Sequence, residues 1–323
     1  MRRISYGKAI NEALFQMMEL DEKVFLIGVG VNSPWYVGKT TERISETFGE
    51  QRIIDTPVSE NGITGFSIGA AITGMRPVLV FPRMDFMYYA MDQLCNHASN
   101  LNYSFGGRLS VPLTIRSIIN RGGEQAAQHS QALQSIFMHM PGLKVVMPAD
   151  AYDAKGMLIA AIKEDNPILY IDDRWLYDTE SEVPEEIYTV PLNKGKIIEE
   201  GDDLTLVASS YMVFEAKKAV DELKKNNIKV ELIDLRSIKP LDSELLLESI
   251  AKTGRLIIAD GTWKTGGVAA EVSAIIASEG FDLLKAPIKR VTLPDLPAPA
   301  SAPLEKAYYP VCENIIKEIK NLF

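Results

Sequence analysis

Apolar positions along the chain fall into short continuous runs that alternate with longer amphipathic stretches. In the first half the runs are VFLIGV (24–29), PVLVF (77–81), VPLTIR (111–116), LKVVMP (143–148) and ILYID (168–172). Runs that are apolar at every position are typical of strands covered on both faces. Helix-length stretches lie between them, near 7–18, 39–48, 60–73, 87–102 and 151–163. This alternation predicts an open α/β sheet built from parallel crossover units.

The pattern changes between the two halves of the chain. Segment 179–195 is acidic, contains proline and shows neither a helical nor a strand period, which favours a linker. Alternation then resumes with the predicted strands LTLVAS, KVELIDL, RLIIAD and KRVTL. Because 323 residues suffice for two apolar cores, we predict two open-sheet α/β domains, at 1–178 and 196–323.

Charge and composition exclude several classes of function. The net charge is −9 and no cluster of Lys and Arg is present, which argues against a nucleic-acid partner. No apolar segment is long enough for export or for crossing a bilayer, so we expect a cytoplasmic protein without a membrane partner. The two cysteines, Cys95 and Cys312, have no second thiol nearby for a metal cluster or a CxxC redox site.

The first informative motif is DTPVSENGITGFSIGAAITG, at 55–74. A predicted strand ends before it, and Ser59 is expected to cap a helix that begins around Glu60. Glycines recur at helical spacing, at Gly62, Gly65 and Gly69, and each costs about 1 kcal/mol relative to Ala. A close contact with a subunit or a cofactor ring is expected to offset that cost. The alternative is tight helix packing inside the chain, with Glu60 as a solvated first-turn acid.

These residues carry a resemblance to a known family. Glu60 followed by Gly65-Phe66-Ser67-Ile68-Gly69 is similar to the pyrimidine-side motif of thiamin-diphosphate enzymes. Its neighbours resemble, in order, the beta subunit of 2-oxo acid dehydrogenases, of the pyruvate dehydrogenase type within the transketolase superfamily: DTPVSENG, GAAITGMRPVLVF, MDQLCNHAS, GGEQAAQHSQ, MPGLKVVMPADAYDAKGML, EDNPILYIDD, IDLRSIKPLD and KTGRLIIADG. The resemblance implies a pyrimidine-binding transketolase-like domain followed by a transketolase C-terminal-like domain.

The resemblance also implies roles for residues around the cofactor. In the family a glutamate at the position of Glu60 hydrogen-bonds a pyrimidine nitrogen and stabilises the imino form of the adjacent amine, which acts as the internal base. Phe86 matches an aromatic residue placed against the pyrimidine ring, with Tyr89 one turn later. The alternative for this aromatic pair is one buried helix face.

His129 is the histidine that the resemblance places at the mouth of the active site. It lies in the glycine-led loop GGEQAAQHSQ, which has no strand or helix period, and histidine as a residue type suits proton transfer at neutral pH. The implied role is proton or acyl transfer after decarboxylation. His97 and His139 rank behind it, and His139 is expected to make a structural hydrogen bond.

Metal ions and a partner chain are implied as well. Leu113, Ala161, Ile162, Glu164 and Asn166 match positions where family members coordinate potassium, largely through carbonyl oxygens. An ordinary helix end is the alternative. The chain has no GDG motif followed by Asn, the pattern that binds Mg²⁺ and diphosphate. An alpha-type subunit is therefore expected to supply that half of the site in an alpha2beta2 complex, and a lipoyl acyltransferase is expected to accept the acyl unit.

One departure from the family leaves other functions open. After the first apolar strand the chain reads Gly28-Val29-Gly30-Val31, where many members carry acids, whereas Asp172 and Asp173 keep carboxylates at another expected position. The leading hypothesis is a decarboxylating 2-oxo acid dehydrogenase component. A carboligase or transferase that passes its unit to a non-lipoyl acceptor such as a sugar is second. A split transketolase half is third, and a non-enzymatic scaffold is last.

Overall fold

The computed structural model describes residues 2–323 and contains two compact units. The first unit comprises the described residues up to Arg121 together with Ile136–Leu192, and the second comprises Gly122–Ser135 together with Asn193–Phe323. The segment Gly122–Ser135, which carries His129, thus belongs to the second unit although it lies early in the sequence. The limits 1–178 and 196–323 stay a prediction about domains.

A parallel sheet forms the centre of the first unit. The strands of this unit are β1 (Arg2–Ser5), β2 (Val24–Gly28), β3 (Ile53–Asp55), β4 (Arg76–Phe81), β5 (Thr114–Ile119), β6 (Lys144–Val146), β7 (Ile168–Asp173) and β8 (Glu180–Val183). In the sheet, neighbours follow the order β6, β7, β5, β4, β2, β3, and every one of these pairs is parallel. Strands β2, β5 and β7 are buried at every residue, which confirms the prediction of strands covered on both faces.

Helices of the first half lie between these strands. They are α1 (Tyr6–Leu20), α2 (Pro34–Val37), α3 (Ile44–Phe48), α4 (Glu60–Ile72), α5 (Leu101–Ser104), α6 (Gln134–Met138) and α7 (Ala151–Lys163). The continuous helix predicted over 87–102 is wrong, because the chain forms a 3-10 helix at Met84–Ala90, a π-helix at Asp92–Ala98 and then α5. A π-helix inside a helical stretch often marks a functional site.

The segment predicted as a linker contains a strand. Residues Glu180–Val183 form β8, which pairs antiparallel with β1, so that Arg2 lies opposite Val183. The absence of a strand in this segment was a wrong prediction. The reason is that the partner strand, β1, lies near the start of the sequence, far from β8, so no local pattern reveals the pairing.

The second unit is a smaller α/β sheet with helices. Its strands are β9 (Lys196–Glu199), β10 (Leu204–Ala208), β11 (Val230–Asp234), β12 (Ser237–Lys239), β13 (Leu256–Trp263) and β14 (Lys289–Leu293). Its helices are α8 (Tyr211–Lys224), α9 (Ser243–Thr253), α10 (Val268–Glu279), α11 (Ala302–Tyr308) and α12 (Cys312–Lys320). The sheet order is β14, β13, β10, β11, β9, and only the pairing of β9 with β11 is antiparallel among these described strands. The predicted fold class, two open-sheet α/β domains, is confirmed. Among residues 2–323, no helix is both long and apolar enough to span a bilayer.

Candidate active site

Glu60 is the first residue of α4 and follows the carboxyl end of β3. Open parallel sheets bind ligands at the carboxyl ends of their strands, so Glu60 lies at the favoured edge. Its side chain is half-buried, and across residues 2–323 no group hydrogen-bonds its carboxylate. Its backbone carbonyl accepts a hydrogen bond from Thr64 Oγ1 at 2.6 Å. The carboxylate is therefore held at the start of a helix and is available to an external donor.

Helix α4 begins where it was predicted to begin, but Ser59 caps it differently. The Ser59 side chain makes no capping hydrogen bond, so that part of the prediction is wrong. Its backbone carbonyl accepts from the Ile63 N–H at 2.9 Å, and its hydroxyl lies against Gly62, where a Cβ would come within 2.8 Å. A side chain at position 62 would therefore require the Ser59 hydroxyl to move.

The other two glycines of α4 have different surroundings. A Cβ at Gly65 would meet the Gln93 side chain at 3.2 Å, whereas a Cβ at Gly69 would have no atom of the described chain within 4 Å. Internal helix packing thus accounts for Gly65 and leaves Gly69 facing open space. Nearby on α4, Phe66 and Ile72 are 57% and 41% exposed. The apolar side chains of this helix are therefore exposed in the single chain, as is typical of a helix at a protein interface.

Phe86 and Tyr89 do not share one buried helix face. Both lie in the 3-10 helix that follows β4, but Phe86 is half-buried whereas the Tyr89 side chain is 66% exposed. The single-buried-face alternative therefore fails for Tyr89. The position of Phe86, after the carboxyl end of β4, keeps it at the same sheet edge as Glu60.

His129 lies in a loop with an unusual backbone. Gly122 and Gly123 have φ of 77° and 69°, and the non-glycine residues Glu124 and Ala126 have φ of 60° and 62°. Each non-glycine residue in this left-handed region costs about 1–3 kcal/mol, and such strain persists only where surrounding contacts fix the loop. The His129 N–H donates to the Ala126 carbonyl at 3.4 Å, so the strained turn leads directly to the histidine.

Glu305 of α11 fixes this loop within the second unit. Both of its carboxylate oxygens accept from the Glu124 N–H at 3.0 Å, and the Glu124 carboxylate in turn accepts from the Ala302 N–H at 3.1 Å. Glu305 is buried, so its charge-assisted hydrogen bonds are stronger than ordinary ones. Glu305 therefore holds the His129 loop in its strained conformation. The other two histidines are exposed; His97 lies 3.7 Å from Asp92, and His139 follows α6.

The five residues predicted to coordinate potassium lie near the end of α7 and the start of β5. The carbonyls of Ile162 and Glu164 already accept hydrogen bonds from Arg76 Nη1, at 3.1 and 3.0 Å. The Leu113 and Ala161 carbonyls accept backbone N–H groups at 3.0 and 3.2 Å. Of these five residues, Asn166 is the one with a buried side-chain atom, Oδ1, that has no hydrogen-bond partner in residues 2–323. A guanidinium thus faces two of the carbonyls, and the set fits a potassium ion only after Arg76 moves. Potassium binding stays a prediction.

Comparison with known proteins agrees with this geometry. Residues 2–178 match the family "Transketolase, pyrimidine binding domain", and residues 193–315 match "Transketolase, C-terminal domain". The beta subunit of acetoin:2,6-dichlorophenolindophenol oxidoreductase from Bacillus subtilis is 41% identical, covering 98% of this chain and 96% of the relative. The pyruvate dehydrogenase E1 beta subunit from Rickettsia bellii is 38% identical, covering 99% and 98%. The chain belongs to the family of 2-oxo acid dehydrogenase beta subunits.

Further similarities are consistent with this family. The 2-oxoisovalerate dehydrogenase beta subunit of Bacillus subtilis is 38% identical, covering 96% of this chain and 95% of the relative. A solved structure titled "Split gene transketolase, inactive beta4 tetramer" aligns with a TM-score of 0.82 over 99% of this chain and 98% of that one, at 20% identity. That structure supports the fold alone. The relatives favour the dehydrogenase hypothesis over the carboligase hypothesis.

The residues of this beta-subunit family member fit the pyrimidine half of a thiamin-diphosphate site. The unpaired Glu60 carboxylate can accept or share a proton with a ring nitrogen, and half-buried Phe86 offers a ring at the same sheet edge. Neither residue's role in cofactor binding is established by the comparisons, so both roles stay predictions, as does that of exposed Tyr89.

Asp172 and Asp173 form buried ion pairs with arginines. The Arg116 guanidinium binds Asp172 through two hydrogen bonds, of 3.0 and 2.8 Å, and Arg121 Nη2 lies 2.5 Å from Asp173 Oδ2. Burial raises the pKa of Asp173, and the Arg121 charge opposes that shift. Tyr177 also donates to Asp172, at 2.5 Å. These carboxylates hold the carboxyl ends of β5 and β7 together.

Two arginines at the carboxyl edge of the first sheet, and separately the glutamate that holds the His129 loop in the second unit, were missed in the sequence. Arg83 lies two residues after the end of the apolar strand β4, and a charged residue at that position is a signal that could have revealed it. Arg174 has the same signal after β7. Glu305 had no usable signal, because it contacts a residue 181 positions earlier.

Proposed function

We propose that this chain is the beta subunit of a thiamin-diphosphate-dependent enzyme that decarboxylates a pyruvate-like 2-oxo acid and transfers the acyl unit to lipoamide. The observation that supports this most is similarity over the full length to beta subunits of pyruvate and 2-oxoisovalerate dehydrogenases. Thiamin diphosphate, when bound, supplies the nucleophilic carbon and the electron sink for decarboxylation. The protein contributes binding, orientation and proton transfer.

Glu60 is the group of this chain that we assign to cofactor activation. Its carboxylate has no partner in residues 2–323 and would hold the proton shared with the pyrimidine nitrogen. At this first-turn position the carboxylate lies at the positive end of the α4 macrodipole. Phe86 would orient the pyrimidine by ring contact, and Tyr89 would contribute from the exposed side. Glu60 is thus the catalytic residue in this proposal.

The other half of the site comes from a separate alpha-type chain in this proposal. Its basis is the sequence, which has no GDG segment followed by the required Asn. The alpha chain would hold Mg²⁺ and the diphosphate, in an alpha2beta2 complex located in the cytoplasm. The apolar α4 face, with Gly69 open to solvent, supports this helix as part of the interface. Potassium would bind near Asn166 if Arg76 releases the carbonyls of Ile162 and Glu164.

His129 is the residue that we assign to transfer of the acyl unit to a lipoyl arm. Its loop is held in a strained conformation by Glu305, and loops fixed in this way often carry function. A histidine can donate or accept a proton at neutral pH as the acyl unit leaves. The second candidate substrate is acetoin, because the relative at 41% identity is named for acetoin oxidation.

The isolated chain is expected to bind thiamin diphosphate weakly and to show no turnover, because it offers only the pyrimidine half of the site. Isothermal titration calorimetry of the purified chain, with and without Mg²⁺, measures the affinity. A parallel assay with pyruvate, 2-oxoisovalerate or acetoin measures turnover. Submicromolar binding together with turnover in the absence of any partner would contradict the prediction that two chains share the cofactor site.

A further inference from the structure

At the carboxyl edge of the first sheet, the ends of the paired strands β2 and β4 lie side by side. Strand β3 pairs with β2 on one side and β4 pairs with it on the other, so the order of strands along the chain reverses at β2. In open α/β sheets, ligands bind at the carboxyl ends of the strands beside such a reversal. The residues that follow the two strands here are Val29-Gly30 and Pro82-Arg83. A ligand bound at this edge would therefore meet these residues.

Arg83 is a buried cation with neutral hydrogen-bond partners. The residue is 8% exposed, and its Nη1 donates to the Pro82 carbonyl at 3.2 Å. With the Asn120 amide oriented so that Oδ1 faces the guanidinium, Nη1 and Nη2 donate to it at 2.5 and 2.9 Å. No carboxylate in residues 2–323 forms a salt bridge with Arg83. Buried charges are normally paired, so this guanidinium lacks the usual compensation.

Arg174 adds a second positive charge to the same edge. Its guanidinium donates to the carbonyls of Trp35 and Tyr36, at 2.9 and 3.3 Å, and fixes the segment after β2. The Tyr36 ring lies so close to Gly30 that a Cβ there would approach within 2.5 Å. Burial and the Arg174 charge lower the pKa of Arg83, against a smaller opposite effect from Asp85.

Two neighbouring arginines at this edge differ from Arg83 and Arg174 in their hydrogen-bond partners. Arg116 and Arg121 are buried too, but each is neutralised by its own aspartate, at 2.8 and 2.5 Å. Arg83 and Arg174 have only neutral oxygen acceptors. A buried guanidinium without a carboxylate partner destabilises the folded chain. A role in binding explains the presence of such a residue at this position.

We propose that Arg83, together with Asn120 and Arg174, forms an oxyanion-binding site at the carboxyl edge of the first sheet for a carboxylate or phosphate group of a small-molecule ligand. The planar guanidinium matches either group, because both present two oxygens to its parallel N–H donors. Asp85 attracts the Arg83 guanidinium without forming a salt bridge with it, and a bound anion would supply a directly hydrogen-bonded negative charge. The anion site itself does not depend on the proposed function. Only the identification of its ligand with the substrate rests on that function.

Binding to the full chain tests the site without turnover, so its failure is distinguishable from failure of the proposed function. The probes are inorganic phosphate and pyruvate, compared with NaCl at equal ionic strength. Thermal unfolding and calorimetry are measured for the wild type, for Arg83→Met and for Arg121→Met. Arg121 is the matched control, because it is buried at the same edge and paired with Asp173.

We expect at least one probe to bind the wild type and Arg83→Met to weaken that binding about tenfold or more. Without ligand, Arg83→Met should melt at the wild-type temperature or above it, because an unpaired buried charge is removed. Arg121→Met should melt lower, because Asp173 loses its partner, and should keep the anion response. Phosphate binding alone identifies a phosphorylated ligand, and pyruvate binding alone identifies a carboxylate.

Three results would overturn the proposal. The first is that the wild type responds to neither probe beyond the NaCl control. The second is that Arg83→Met binds the anions as well as the wild type does. The third is that Arg83→Met melts as far below the wild type as Arg121→Met does, which would make Arg83 a structural residue.

Discussion

Replacing Glu60 by glutamine is expected to lower the decarboxylation rate of the two-chain complex by roughly 100- to 10,000-fold. An amide cannot share a proton with the pyrimidine nitrogen, so activation of the thiazolium carbon fails while the fold persists. Deuterium exchange at that carbon measures the activation step directly. Because the side chain is only half-buried and has no partner in residues 2–323, the substitution leaves no group unpaired in this chain.

The matched control for this substitution is Glu46→Gln. Glu46 also lies in the first turn of a helix, α3, and is exposed. It should retain the wild-type exchange rate and melting temperature. If Glu60→Gln exchanged deuterium as fast as the wild type, Glu60 would have no part in activation, and the assignment of this edge to the cofactor would lose its main support.

The second large effect is expected at His129. Replacing it by alanine should lower acylation of a lipoyl domain about 100-fold or more, because proton transfer and orientation contribute on that scale. Decarboxylation followed with an artificial electron acceptor should fall much less. The ratio of the two rates is therefore the measurement. His139→Ala, an exposed histidine, is the control and should leave the ratio unchanged.

Glu305 provides an independent check on the His129 loop. Glu305→Gln keeps the size of the side chain but removes the charge that accepts twice from the Glu124 N–H. If the strained loop positions His129, this variant should change the same ratio in the same direction by a smaller factor. Equal losses of both rates in the His129 and Glu305 variants would instead indicate general damage to the site.

Local patterns in the sequence predicted the elements that depend on local physics. The start of α4 at Glu60 and the buried strands β2, β5 and β7 were predicted correctly, because turn residues and continuous apolar runs act over a few positions. The capping role of the Ser59 side chain was wrong, since the hydroxyl packs against Gly62 instead. Propensity shows where a helix begins but not which atom satisfies its first turn.

Features that depend on distant residues could not be predicted. Strand β8 forms because β1 pairs with it, although its own residues are polar and show no strand period. The helix predicted over 87–102 breaks into 3-10 and π segments, a change in winding that apolar spacing does not encode. The contact between Glu305 and the His129 loop likewise joins residues far apart in the sequence.

The most direct test of the whole account is 2-oxo acid decarboxylation by this chain combined with an alpha-type subunit with which it assembles. Release of CO₂ and acylation of a lipoyl domain are measured for each chain alone and for the mixture, with thiamin diphosphate and Mg²⁺. We predict that both products form only in the mixture and that neither forms when this chain carries Glu60→Gln. Turnover by this chain alone, or an assembled mixture that releases no CO₂ from any 2-oxo acid, would contradict the account.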